Sequence, residues 1–101
     1  MRRFEVIVAP AAAQQARVIS EWWRANRAAA DLFDEELEAI LERLAVAPER
    51  TAKYRESNRR TVRRLLMPRT SHHVYFEVDA GAGTVNVLAV WHTARGKGPP
   101  L

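Results

Sequence analysis

Apolar residues change period twice along this 101-residue chain, and that switch limits what it can fold into. They alternate over Arg3–Ala9, recur at helical spacing from Ala11 to Ala47, and return to alternation from Thr61 to His92. Alternation puts neighbours on opposite faces of a strand, whereas a spacing of three and four residues gathers side chains on one side of a helix. The predicted order is therefore strand, helix, helix, strand, strand, strand. An α+β fold follows, an antiparallel sheet with an N-terminal helical hairpin packed on one face.

Local punctuation agrees with this order. RFEVIVA alternates around Phe4, Val6 and Val8 and ends at Pro10, which suits the first turn of a helix because its missing N–H would find no partner there. Ala12, Ala16, Ile19 and Trp23 form a narrow stripe on the first helix. Trp22 is rotated about 100° from Trp23, so only one of the two indoles can point into the core. In the second helix, Ala30–Ala47, the apolar face is Leu32, Phe33, Leu37, Ile40, Leu41 and Leu44. Asp31, Asp34, Glu35 and Glu36 fill its first turns, where the helix dipole favours negative charge. Residues 49–58 have no apolar period and read as a loop. Strands are expected over Thr61–Met67, Ser71–Asp79 and Thr84–His92, with a tight turn at Ala80–Gly83. Residues 93–101 are rich in Gly and Pro and read as an irregular tail, which completes a single domain over 1–101.

Composition excludes several classes of function. The chain has no cysteine, so disulfide scaffolds and thiolate metal sites are out. No apolar run is long enough for a membrane span, and Glu5 and Pro10 interrupt any signal-peptide core. His72 and His73 are adjacent in a strand and point to opposite faces, so they cannot share a metal. No glycine-rich phosphate loop or nucleophile elbow is present, and no metal or cofactor is expected.

The net charge of +4 is unevenly distributed. Asp31–Glu42 holds six acids and no base, and Glu49–His73 holds eight bases and two acids, a local charge of +6. Such polarity leaves two readings open: two solvated faces that partly neutralise each other, or a basic surface for phosphate or an acidic partner. Arg63 and Arg64 share that choice. They can decorate an edge or pair with the acidic helix, or one can lie on an open sheet face beside His73, Tyr75 and the strand carrying Trp91. His92, followed by Arg95 and Lys97, reads either as a satisfied rim residue or as a general acid/base. Trp22, Trp23 and Trp91 read as core and interface anchors.

VRRLLMPRTSHHVYFEVD, followed by VNVLAVWHTARGKGPPL, resembles the RelE/ParE superfamily of toxins from type II toxin–antitoxin modules, nearest its ParE-like, plasmid-stabilisation branch. The helical hairpin carries F-x-x-E-L-x-x-I-L-x-x-L (Phe33–Leu44), and the most specific element is Val87–His92 with Arg95 and Gly96 after it. The resemblance implies a bacterial cytoplasmic toxin neutralised by a ParD-type, ribbon-helix-helix antitoxin. It further implies DNA gyrase as target, without enzymatic activity. RelE-like relatives instead cleave mRNA on the ribosome. That alternative would use Arg64, Arg69, His92 and Arg95, but the pattern departs from the nuclease. His73 stands at the position of its strand-three arginine, Thr93 at that of the arginine after its last strand, and no tyrosine occurs in the tail. An inactive member that only binds its antitoxin is a third possibility. Expected antitoxin- or target-binding residues are Trp22, Trp23, Arg59, Arg60, Arg63, Arg64, Arg69, His73, Tyr75 and Trp91.

Overall fold

The computed structural model describes residues 3–101; Met1 and Arg2, at the head of the expected domain, lie outside the described residues. Strand β1 (Glu5–Val8) leads into helices α1 (Pro10–Asn26) and α2 (Leu32–Val46), and strands β2 (Lys53–Glu56), β3 (Thr61–Met67), β4 (His72–Asp79) and β5 (Thr84–His92) follow. The α+β order matches the expectation, with Pro10 opening α1 as anticipated. Asp34 and Glu35 sit in the first turn of α2 and Arg43 in its last, both matched to the helix dipole. The helical hairpin is tied by Arg24 to Asp34 at 2.7 Å.

Two features go beyond the sequence reading. The sheet order is β1-β5-β4-β3-β2, and β1 pairs parallel with β5, which makes the sheet mixed. Alternation reports that a segment is a strand but not the direction of its neighbour. The helical hairpin between β1 and the rest of the sheet is long enough for a crossover that returns in parallel. The second feature corrects the loop expected over 49–58. Pro48–Arg50 forms a 3₁₀ turn, and Lys53–Glu56 is an edge strand antiparallel to β3. Only Tyr54 on β2 packs against the core, so the strand owes its existence to pairing and leaves no apolar period to read.

Helices and sheet close over one core. Phe33, Ile40 and Leu44 of α2 and Ala12 of α1 meet Met67, Val74, Phe76, Val85, Val87 and Val90 of the sheet. The opposite sheet face is smaller but not bare. Val62, Tyr75 and Ala89 are buried there under Tyr54, Leu88, Trp91 and Leu101. The tail is irregular, as expected, yet it folds back: Pro99 is buried, and the Trp91 indole donates to the Lys97 carbonyl at 2.9 Å. Gly98 passes so close to the Tyr54 hydroxyl that a β-carbon there would collide with it. At the β4–β5 turn, Gly83 alone takes a left-handed conformation, at φ 69°.

Candidate functional site

One irregularity in β5 decides which groups meet. Tyr75 pairs with Ala89 and Phe76 with Val87, so Leu88 is an extra, bulged residue. Before the bulge, Val85 and Val87 face the helices; after it, Val90 does. The shift moves Ala89 and Trp91 to the opposite face and turns His92 toward the helical side. Unbroken alternation would have placed His92 on the other side of the sheet from Val85 and Val87. Bulges re-aim side chains in this way. His92 consequently lies opposite His72 in register, with the rings 5.0 Å apart and edge to face.

His72 is buried, and its ring is fixed from two sides. Phe33 meets it edge-on at 5.2 Å, and its Nδ1 lies 3.2 Å from the Thr70 hydroxyl. That hydroxyl donates to Glu36 at 2.7 Å, so it accepts from His72, which places the neutral ring's proton on Nδ1. Glu36 also accepts the backbone N–H groups of Arg69 at 2.7 Å and Thr70 at 3.0 Å. This single buried carboxylate pins the β3–β4 turn, in which Ser71 holds a left-handed φ of 63°. His92 has the complementary arrangement. Its Nδ1 accepts the Ala94 N–H at 3.0 Å, so Nε2 carries the proton in the neutral ring.

Burial, followed by the nearby His92, pushes the His72 pKa down to about 4 against the opposing pull of Thr70 and Glu36. The unfolded chain takes up a proton near pH 6.5, while the native ring resists it until about 4. Stability contributed at His72 is therefore complete above pH 6.5 and lost as pH falls toward 4. The loss is on the order of 2–3 kcal/mol. Urea midpoints measured from pH 7 to pH 4 should fall, and His72→Phe should flatten much of that slope. A His72 NMR titration centred near 6.5 would contradict the assignment.

These groups border a cavity of about 760 Å³ between α1 and the ends of β4 and β5. Trp22, Trp23 and Val18 form its apolar wall, and Arg27, Arg69 and Arg95 its cationic rim. Trp23 packs on the core while Trp22 is 47% exposed, as the hundred-degree offset required. Arg27 lies over both indoles, at 5.1 and 5.7 Å from their centroids.

The remaining expected residues lie elsewhere. Arg64 is on the opposite sheet face, its guanidinium 5.1 Å from the Tyr54 ring centroid, and Tyr75 stacks edge-on against Tyr54 at 4.8 Å. His73 shares that face, 6.0 Å from Tyr75; burial and the Arg64 charge lower its pKa. Arg63 is turned away and donates to the Thr51 carbonyl at 2.6 Å. Arg60 pairs with Glu77, and Arg59 is exposed at the β2–β3 turn. Trp91 carries Arg95 over its ring at 3.8 Å. The acidic helix does not neutralise the β3 arginines: its ion pairs go to Arg24 and to Arg3, which meets Glu42 at 3.0 Å. Among the described residues, no group of three or more His, Asp or Glu side chains could hold a metal.

The family model described as ParE toxin of type II toxin-antitoxin system, parDE, matches residues 6–96. The chain belongs to this ParE toxin family. It is a type II toxin–antitoxin toxin, and an antitoxin partner comes with that membership. No curated protein matches the chain. Within this ParE-family fold, His72, Arg27 and Thr70 join the cavity without having been expected there. Their signal was present in part: the run Val87–Leu88–Ala89–Val90 breaks alternation between Val87 and Val90, which is how a bulge reads in sequence. No helix among the described residues is long and apolar enough to cross a membrane.

Proposed function

We propose that this ParE-family toxin acts as one domain in the bacterial cytoplasm, is neutralised by a ParD-type ribbon-helix-helix antitoxin, and inhibits DNA gyrase by binding. The carrying observation is the set of cations left without acidic partners. Arg59, Arg64 and Arg69 belong to the +6 segment, and among the described residues none of them forms an ion pair, while the acidic helix is engaged with Arg3 and Arg24. An acidic, partly apolar antitoxin segment would match Arg64 on one face and the Trp22–Arg69 groove on the other.

The binding role also fits the separation of the nuclease candidates. Arg64 lies across the sheet from Arg69, His92 and Arg95, so the four do not converge on one phosphodiester. A second reading, ribosome-dependent mRNA cleavage, draws on the three that share the cavity. Gyrase supercoiling assays beside programmed-ribosome cleavage assays separate the two. Blocked supercoiling with intact mRNA supports the proposal; A-site cleavage abolished by His92→Ala overturns it. Arg64→Glu should weaken antitoxin binding about tenfold, whereas Arg24→Glu, which breaks only an exposed ion pair, should change it much less. Equal effects would remove the charge argument.

A further inference from the structure

The cavity beside α1 has a composition that antitoxin binding does not require. Arg27, Arg69 and Arg95 are among its lining residues, and no Asp or Glu is. Glu36, behind Thr70, is buried and occupied by two N–H groups and a hydroxyl. Among the described residues, Arg27, Arg69 and Arg95 form no ion pair. Two of them are instead laid against indoles, Arg27 over Trp22 and Trp23, and Arg95 over Trp91 at 3.8 Å. A guanidinium stacked on a ring keeps its in-plane N–H donors available, and the His92 Nε2–H adds a further donor at the same rim.

We infer that this cavity binds a nucleoside phosphate, free or at the end of a single strand, with the base against Trp22 and the phosphate among Arg69, Arg95 and His92. Each element of the site answers a part of that ligand. The half-exposed Trp22 face, continued by Val18, accepts a planar base without selecting its sequence. Planar guanidinium forks match phosphate oxygens in pairs. A volume of about 760 Å³ falls within the range of small-molecule sites. An acidic peptide would satisfy the cations but leave the indole wall without a planar partner. The inference concerns binding alone and requires no bond cleavage; it shares the Trp22–Arg69 wall with the antitoxin proposal but does not rest on it.

The test is calorimetric titration of the full chain with AMP, adenosine, inorganic phosphate, a 5′-phosphorylated tetranucleotide and hexaglutamate. AMP should bind, adenosine and inorganic phosphate each at least about tenfold more weakly, because each lacks half of the recognised chemistry. Arg69→Gln and Trp22→Ala should each reduce affinity about tenfold or more. Arg17→Gln, on α1 outside the cavity, should leave it unchanged. A tetranucleotide that binds more tightly than AMP, with log K falling against log salt at a slope of about −2, identifies a strand end. Equal affinities identify a free nucleotide. Absence of nucleotide binding at millimolar concentration overturns the inference. So does nucleotide binding that Arg69→Gln and Trp22→Ala leave intact, or hexaglutamate binding without nucleotide binding. The third of these results would leave the groove to an acidic peptide, and none of the three bears on docking at the Arg64 face.

Discussion

Replacing Glu36 by alanine is expected to lower folding stability by about 3 kcal/mol or more, the largest loss from any polar substitution in this chain. The carboxylate is 8% exposed and accepts three hydrogen bonds from one turn. Alanine would leave two backbone N–H groups and the Thr70 hydroxyl without their acceptor, two of the three in a buried setting. Each uncompensated donor costs about 1–3 kcal/mol. Ser71, held at a positive φ beside them, would lose the contacts that over-determine it. Glu36→Gln separates charge from shape. It keeps one acceptor oxygen but presents an NH₂ to a backbone N–H, so a donor faces a donor. It should fall between wild type and alanine in urea midpoint. Hydrogen exchange at Arg69 and Thr70 should accelerate in both variants before the rest of β4 does. A loss under about 1 kcal/mol for Glu36→Ala would mean that the turn holds itself.

That carboxylate also marks where sequence reading stopped. By position in α2 it is one more acid in a helix whose first turns favour negative charge. Nothing in the spacing tells a solvated glutamate from one that reaches 33 residues along the chain to cap a turn. The helices, by contrast, were legible nearly to their ends, because Phe33, Ile40 and Leu44 pack where their i, i+4, i+7 spacing placed them. β3 and β5 matched in full, since their alternation and flanking Pro and Gly are local signals. β2 was not legible: Lys53–Glu56 is an edge whose one apolar contact, Tyr54, cannot make a period. The parallel pairing of β1 with β5 is likewise a property of chain return, settled by how the helical hairpin packs.

The candidate site divides in the same way. Alternation required Arg63 and Arg64 to part, but only the fold shows that Arg64 takes the aromatic face and Arg63 the Thr51 carbonyl. The sequence marks His92 by its cationic neighbours, but nothing local marks His72 as its partner. The two meet because of the bulge at Leu88, a one-residue event that reverses facing for everything after it. The tail illustrates the opposite error. Gly and Pro correctly denied it regular structure, yet Pro99 and Leu101 still pack, because burial needs apolar surface and not periodicity.

Phe33→Ala should be the most damaging core substitution near the site, lowering stability by about 3–5 kcal/mol. The ring is 1% exposed, and deleting it removes both its transfer energy and its packing against the buried His72 imidazole. A domain of this size commands roughly 5–15 kcal/mol in total, so the variant should be only marginally folded. Phe33→Leu keeps most of the volume and should cost far less, about 1 kcal/mol. The pair of variants also probes the cause of the depressed His72 pKa, because burial is its leading contribution. A cavity at position 33 that admits water would let the imidazolium form more easily, so the His72 titration should move up from about 4 toward 6.5 in Phe33→Ala. The fall of stability between pH 6.5 and pH 4 should then become shallower, even as stability at neutral pH drops. In Phe33→Leu both the pKa and the slope should stay near wild type. If His72 titrates unchanged in Phe33→Ala, burial by this ring is not what keeps it neutral, and the other groups that cover it, together with His92, carry the effect.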